Sequence, residues 1–395
     1  MTDIDSSLLD QSGNRGTDCT VAVVGAGAVG LTTALDLASE RTDVTVYEAD
    51  TVAGGSSGRA AGVCYNAFAA EPNATLGQEA IDRFRAFEAD GAPFTECPYV
   101  WLAQTGDNTK VDLVREGIQR MQELGVEAEE LDAATLTERF PALRTDDVAV
   151  GGVTAGGGYT DAGKYTAWLA DRARDAGVSI EEETPVSIET EPPAVRLAGS
   201  GDSRRVVDTV IVAAGAHSKE LLAAVDVSIP MKPYRVQALV GEVSVGGKPA
   251  GWEPIVYDTS ADCYLRPHAE GLLAGDGTEE CEANPDNYQR DANAEFSENL
   301  AARVTHRIPD CGLEVDRAWA GLCTATPDRD PLVGEVRDGV YVATGFQGQG
   351  FMRSPAIGRR LADEVLGGDG IEAFDPSRFD GDESFEVREG MAVES

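Results

Sequence analysis

Near its start the chain reads Thr20-Val21-Ala22-Val23-Val24-Gly25-Ala26-Gly27-Ala28-Val29-Gly30, and the next apolar run, Val44-Thr45-Val46-Tyr47, closes on Glu48. A short β-branched run such as 21–24 suits a strand buried on both faces of a parallel sheet. Gly25 lets the chain turn sharply off that strand, Gly27 lets backbone N–H groups approach a pyrophosphate, and Gly30 lets the following helix pack closely on the sheet. The spacing predicts a helix over about 28–40, with its positive N-terminal end toward the phosphates. Glu48 can accept both hydroxyls of an adenosine ribose, and its charge disfavours a 2′-phosphate and hence NADP. A glycine turn alone is a weak signal, but strand, glycines, helix, strand and acid in register read as an ADP-binding βαβ unit, with FAD and NAD both open.

Later segments favour FAD. The loop Ala53-Gly54-Gly55-Ser56-Ser57-Gly58-Arg59-Ala60-Ala61-Gly62 offers small residues, hydroxyls and one cation directly after the ribose acid, as suits a loop lying along an extended dinucleotide. Asp208-Thr209-Val210-Ile211-Val212-Ala213-Ala214-Gly215-Ala216 is a second buried strand ending in small residues. Gly339-Val340-Tyr341-Val342-Ala343-Thr344-Gly345 leads through Phe346-Gln347-Gly348-Gln349-Gly350-Phe351 to a helix expected over 354–366. A helix N-terminus there can stabilise the negative charge of a reduced flavin.

These motifs, with Trp319-Ala320-Gly321-Leu322 and Thr326-Pro327-Asp328, resemble the D-amino acid oxidase superfamily of FAD-dependent oxidoreductases, and within it the group of glycine oxidase, sarcosine oxidase and dye-linked proline dehydrogenase. The resemblance runs from about residue 18 to 368. It implies an α/β Rossmann-like FAD-binding domain plus an antiparallel-sheet substrate domain. FAD would be held by Gly25, Gly27, Ala28, Val29, Gly30, Glu48 and Ala49, and by Ser56, Ser57, Arg59, Ala60, Ala61 and Gly62. Val186, whose backbone would meet the adenine, Ala214, Gly215 and Gly321 would contribute further. Gly345, Phe346, Gln347, Gly348, Gln349, Gly350 and Phe351 would cap the flavin. The implied reaction oxidises the C–N bond of an amino acid or N-methylated amine by hydride transfer to flavin N5, giving an imine that hydrolyses. O2 or a respiratory electron carrier would be the acceptor. Some sarcosine oxidases attach flavin covalently through a His in the loop after the ribose acid or through a Cys before Thr-Pro-Asp. Here that loop has Ser56 and Ser57, and Cys323 is displaced by two positions, so non-covalent FAD is expected.

Composition fits a large enzyme. A chain of 395 residues exceeds one hydrophobic core, so two domains are expected. No apolar run approaches the ~20 residues needed to cross a bilayer, and residues 1–18 lack the basic start and apolar core of a signal peptide, which points to the cytoplasm. The net charge of −37 is spread along the chain, as on an acidic surface suited to high salt, and disfavours nucleic acid or anionic membranes as partners. The seven cysteines form no CxxC pair and no metal-site spacing, so reduced thiols and no metal are expected.

The FAD domain is expected over 18–85, 145–228 and 319–368, and the substrate domain over 86–144 and 229–318; the ends 1–17 and 376–395 read as acidic and loosely ordered. Helices are expected over 78–90, 111–124, 131–140, 162–176 and 292–308, a loop over 151–161, and antiparallel strands over 234–243, 255–257, 263–267 and 271–274.

Tyr264 and Arg266 alternate along a strand and can point together into a substrate pocket, Arg266 with a guanidinium suited to a carboxylate. Tyr234, Arg235 and Gln237 form a weaker set. By resemblance, glycine oxidases and D-amino acid oxidases place a carboxylate-binding Arg where this chain has Cys323, and monomeric sarcosine oxidases a Lys where it has Met352. Arg266 or Arg353 would then hold an amino acid's carboxylate. His217 reads as a cofactor-loop residue and His306 as structural. Two other readings stand beside amine oxidation. One is a 2-hydroxy acid or alcohol dehydrogenase, which needs a base for the hydroxyl proton; the other is a flavin-binding assembly protein with little turnover.

Overall fold

The computed structural model describes residues 19–38, 42–199, 203–243, 253–269, 271–275, 277–309 and 311–388. The end 1–17 and the last residues, 389–395, lie outside the described residues.

The strand Cys19–Val24 sits at the centre of a six-stranded sheet, paired in parallel with Thr42–Tyr47 on one side and Thr209–Val212 on the other. Val340–Thr344 and Ser179–Glu181 extend it in parallel, and Leu332–Arg337 closes one edge antiparallel. Helices cover one face and the strands Val186–Thr190 and Pro193–Leu197 the other, which is why Cys19–Val24 and Thr209–Val212 are buried in runs without alternation. Ala28–Ala38 is built almost wholly of small and aliphatic residues, with most of its side chains buried. It lies so close to Gly350–Val365 that a Cβ on Gly358 would come 2.6 Å from the Thr32 Cβ. Arg83, on the helix Asn73–Ala89, clamps Asp36 through both carboxylate oxygens at 2.7 and 2.8 Å and reaches the Pro355 carbonyl at 2.5 Å, joining three helices at one point.

The second main layer is an eight-stranded sheet dominated by antiparallel pairs. Its longest pairing joins Lys232–Val243 to Leu313–Ala325, and Gly271–Gly275, Cys263–His268 and Ile255–Asp258 follow. The stretch 151–161, expected as a loop, instead carries two strands. Val148–Thr154 pairs with Tyr99–Gln104 and Ala128–Leu131 in this sheet, and Gly157–Tyr159 pairs with Val63–Tyr65. Its glycines are there for packing: a Cβ on Gly152 would sit 2.3 Å from the Trp101 ring, and one on Gly151 2.8 Å from the Leu136 side chain. The sheet of the substrate side thus includes 148–154, which sequence composition had grouped with the dinucleotide side.

The helix Ala294–Arg307 is pinned to the sheet by buried charge. The Arg307 guanidinium donates to Asp258 at 2.7 Å and to Asp147 at 2.8 Å. His306 Nε2 meets Asp147 at 2.8 Å and its Nδ1 meets the Arg144 guanidinium at 3.1 Å, which favours the Nε2–H tautomer. The C-terminal stretch as far as Arg388 is packed rather than loose. Arg378 pairs with Asp328 at 2.8 Å, the Phe385 carbonyl accepts from Lys232 Nζ at 2.5 Å, and Val387 is buried beside Tyr234. The acidic composition of this stretch hides the few residues that anchor it. No helix among the described residues is long and apolar enough to cross a membrane.

Candidate active site

The glycine turn shows why its residues cannot be exchanged. Gly25 has φ +113°, and a Cβ there would lie 2.5 Å from the Ala213 carbonyl oxygen on the neighbouring strand. A Cβ on Gly30 would lie 2.2 Å from the Gly25 carbonyl oxygen, so the helix could not start where it does. Glu48 stands beside this turn: its Oε2 accepts from the Ala26 N–H at 2.8 Å and its Oε1 from the Asp50 N–H at 3.0 Å. The Ser57 hydroxyl accepts from the Ala28 N–H at 2.9 Å, at the first residue of the helix, where a phosphate oxygen is favoured.

From this turn a cleft runs in two adjoining cavities that share Gly27, Ser57, Arg59, Ala213, Gly215 and Leu322. The first lies beside the glycine turn and is the expected dinucleotide side. Gly25, Gly27, Glu48, Ala49, Ser56, Ala214 and Val186 all line it, brought together from five separate stretches of chain. The second is the substrate side, where Ala28, Val29, Ala60, Ala61 and Gly62 meet Gly321, Phe346, Gln347, Gly348, Gly350 and Phe351. Gly30, Gly345 and Gln349 stand behind these surfaces and shape the turns. Trp319 Nε1 donates to the Arg59 carbonyl at 3.0 Å and Ser56 Oγ to the Leu322 carbonyl at 2.7 Å, which fastens the loop after Glu48 to the strand Leu313–Ala325.

The far end is a tight turn built on Thr324. Its hydroxyl accepts from the Gly345 and Phe346 N–H groups at 3.1 and 3.2 Å, and its carbonyl accepts from the Gln347 N–H at 2.8 Å. Gln347 and Gly348 both take left-handed backbone, φ +52° and +80°. Gln347 is buried, donates Nε2–H to the Arg388 carbonyl at 2.6 Å, and leaves its Oε1 buried with no partner. The helix after the turn begins at Gly350, four residues before the expected start, and runs through Pro355. Ser354 makes this possible, since its hydroxyl takes the Phe351 carbonyl at 2.8 Å, the acceptor that the proline nitrogen cannot serve.

Residues of the eight-stranded sheet face this turn. Tyr234, Val236, Gln237, Ala238, Tyr264 and Trp319 line the substrate side, joined by Thr278. Cys323 and Met352, the positions where the resemblance places cations in other proteins, line it too, and both are neutral. Burial pushes the Cys323 thiol up to about 12, so it stays protonated near neutral pH. Among the described residues, no Asp, Glu, His or Lys lines this cavity, and its one guanidinium belongs to Arg59, which donates to the Gly54 carbonyl at 2.5 Å.

Two residues expected at the substrate are placed elsewhere. Arg266 is buried behind the cavity wall, donating Nε–H to the Ala61 carbonyl at 2.5 Å and further N–H groups to the Pro267 and Thr160 carbonyls at 2.7 and 3.3 Å. It holds the 60–62 loop from behind. Arg353 points into the helix packing, where it donates to Asn73 Oδ1 and to the Phe346 carbonyl at 3.3 Å between the rings of Phe68 and Phe374. Alternation along the strand paired Arg266 with Tyr264, but only Tyr264 lines the cavity, and the pattern said nothing of the carbonyls that hold Arg266 behind the wall. Arg266→Met is therefore expected to cost roughly 3 kcal/mol of stability by leaving buried carbonyls without donors, with KM of the folded fraction changed less than about twofold; denaturant unfolding beside steady-state kinetics checks this.

Sequence reasoning missed the 277–291 segment, which lines both cavities through Gly277, Thr278, Pro285, Asp286, Tyr288 and Arg290. It has no periodicity and no motif to reveal it.

A glycine turn on a parallel sheet, with the Glu48 carboxylate beside it, thus opens on one continuous cleft whose far end an antiparallel sheet faces. The family model for the FAD dependent oxidoreductases (DAO) matches residues 20–364, and the chain belongs to that family. It is similar to the glycine oxidase of Geobacillus kaustophilus, 26% identical over 361 residues that cover 87% of this chain and 92% of that one. It also matches the mitochondrial dimethylglycine dehydrogenase of Rattus norvegicus at 25% identity, but there it spans only 46% of the relative's length. Among solved structures, L-proline dehydrogenase from P. horikoshii superposes with a TM-score of 0.82 at 26% identity, covering 91% of this chain and 97% of that one. The residues of the cleft fit FAD: the helix N-terminus at Ala28 and the Glu48 carboxylate beside the glycine turn, and the orphaned Gln347 acceptor at the far end.

Proposed function

We propose that this enzyme oxidises the C–N bond of a small amino acid or N-methylated amine to an imine, which water then hydrolyses to a carbonyl compound and a free amine. The observation that carries the reading is the neutral lining of the substrate-side cavity. Oxidising an alcohol needs a group to take the hydroxyl proton, and no carboxylate, imidazole or ammonium among the described residues faces that space. A neutral amine needs no such base, because its nitrogen lone pair drives the loss of hydride. The glycine oxidase and dimethylglycine dehydrogenase likenesses support the same class of substrate.

Bound FAD supplies the two-electron acceptor. Glu48 would hold its ribose, the helix starting at Ala28 its diphosphate, and the turn 345–350 its flavin end. The chain's own work is positional. Tyr234, Tyr264 and Trp319 give the cavity apolar walls with hydroxyls at two edges, which orient a small amine and keep water from it. Gln237 accepts from the Asn293 N–H at 2.7 Å through its Oε1, which fixes its amide beside the substrate. With Arg266 and Arg353 engaged elsewhere, a substrate carboxylate would be met by these hydroxyl and amide donors and by Arg59.

Product analysis tests the proposal. Carbonyl compound and amine formed in equal amounts, with kcat/KM rising with pH as the substrate ammonium loses its proton, support it. A keto acid formed from a hydroxy acid with no amine released would establish the alcohol reading. We also propose that the acidic surface is an adaptation to salt: with a net charge of −37, raising KCl from about 0.1 M to about 2 M screens self-repulsion and should raise Tm by several degrees. A Tm that stays flat or falls in a thermal scan would contradict this.

A further inference from the structure

Residues 277–293 lie between the strand Gly271–Gly275 and the helix Ala294–Arg307, and include no helix or strand of their own, yet they are tied down along their length. Arg235, buried in the strand Lys232–Val243, donates to the Gln289 carbonyl at 2.8 Å, the Asp291 carbonyl at 2.6 Å and the Glu279 carboxylate. The Glu279 N–H returns to the Arg235 carbonyl at 2.9 Å, and the Ala283 N–H reaches the Pro233 carbonyl at 2.8 Å. Farther along, Asp286 meets His217 Nε2 at 3.1 Å and Asp291 bridges to Trp319. The result is a fixed strap across the cleft rather than a free loop.

That strap carries one cation into the dinucleotide side, Arg290. Its carbonyl accepts from the Ala320 N–H at 2.8 Å, which sets its backbone beside Gly321 and Leu322, where the two cavities join. A dinucleotide lying from Glu48 to the capping turn must pass its diphosphate through that junction. The charges lining the dinucleotide side are mostly negative. Glu48, Asp50, Glu220 and Asp286 are acidic, Asp286 is paired with His217, and the guanidinium groups are those of Arg59 and Arg290. Arg59 already donates to the carbonyl of Gly54. A diphosphate entering a space bordered by four carboxylates needs a positive partner, and a guanidinium is the side chain best matched to phosphate oxygens.

We infer that Arg290 binds the diphosphate of the bound cofactor from the strap side, facing the helix N-terminus that binds it from the other, and that Arg235 is the residue positioning the strap. The inference rests on FAD binding and not on the choice of amine.

The test compares a ligand that has the diphosphate with one that lacks it. Full-length protein freed of flavin is titrated calorimetrically with ADP and with adenosine, and FAD release from the holoenzyme is followed by fluorescence. Arg290→Met should weaken ADP roughly tenfold to a hundredfold, leave adenosine within about twofold, and speed FAD release by a similar factor; Arg290→Lys should recover part of the loss. Arg290 is exposed, so the variants should keep the wild-type circular dichroism and Tm. Unchanged ADP binding, or equal weakening of ADP and adenosine, would overturn the assignment. Neither titration reads turnover, so failure of the amine proposal leaves this result standing, and the reverse holds as well.

Discussion

Gly25→Ala should yield a destabilised protein that is purified largely without FAD. At Gly25 two independent penalties meet. The backbone has φ +113°, which an L side chain rarely adopts, at about 1–3 kcal/mol. The added Cβ would also come 2.5 Å from the Ala213 carbonyl oxygen and 2.9 Å from the Ala213 carbonyl carbon. Those are main-chain atoms directly following Val212, which is in register with Val24, so relief means parting two central strands or moving the turn. Overpacking of this kind adds about 1–3 kcal/mol. Moving the turn shifts Ala26, whose N–H is bonded to Glu48, and with it the carboxylate proposed to hold the ribose. FAD affinity should fall at least about tenfold, since about 1.4 kcal/mol of the strain expressed at the site suffices. Gly163→Ala is the matched control: it lines neither cavity, its Cβ would meet only Asp161 Oδ1 at 3.5 Å, an ordinary contact, and FAD binding should stay within about twofold. Equal behaviour of the two variants in FAD titration would show that the turn does not hold the cofactor.

The second large effect lies far from the cleft. Arg307→Met removes a buried guanidinium from between Asp258 and Asp147, and leaves the buried Asp258 carboxylate with neutral donors such as Gln104 Nε2 at 3.1 Å. An uncompensated buried charge of this kind costs about 3–5 kcal/mol, so the variant should unfold at much lower denaturant. Asp258→Asn combined with Arg307→Met should recover a large part of that loss, because no buried charge is then left alone. Acid sensitivity should change as well. Burial opposes ionisation of Asp147, but hydrogen bonds and charge from Arg307 and His306 hold its carboxyl below the ordinary range. A lowered folded pKa gives stability that is complete above about pH 4 and is lost as pH falls through the folded value. Part of that acid slope should vanish with Arg307. Urea unfolding of the two proteins between about pH 3 and 7 reads both effects; equal stabilities and equal slopes would refute the account of this network.

Legibility in the sequence followed how local each constraint is. Gly25, Gly27, Gly30 and Glu48 were readable because backbone must pass close to backbone within thirty residues of chain, and only certain residues permit that. The strands facing the substrate were readable from alternation and turn residues. Residues 151–161 were not, because their glycines make room for Trp101 and Leu136, and that contact is visible only in three dimensions. The last helix was expected only from 354, and the Ser354 hydroxyl that lets it run through Pro355 from Gly350 is a detail of one bond. For Arg266 and Arg353 the sequence supplied the cation and hid its partners, the carbonyls of Ala61 and Phe346. The strap around Arg290 left no periodic trace, since its order comes from Arg235 on a strand more than forty residues earlier.

The most direct measurement is anaerobic bleaching of the flavin absorbance, in high salt, by a panel of sarcosine, dimethylglycine, proline, D- and L-amino acids and 2-hydroxy acids. Rapid bleaching by at least one amine and none by the hydroxy acids is expected, because the cavity beside the capping turn presents hydroxyls and aromatic faces and, among the described residues, no carboxylate, imidazole or ammonium. Bleaching by a hydroxy acid alone would contradict it in favour of alcohol oxidation. A flavin reduced by dithionite but by no member of the panel would contradict it in favour of a binding or assembly role.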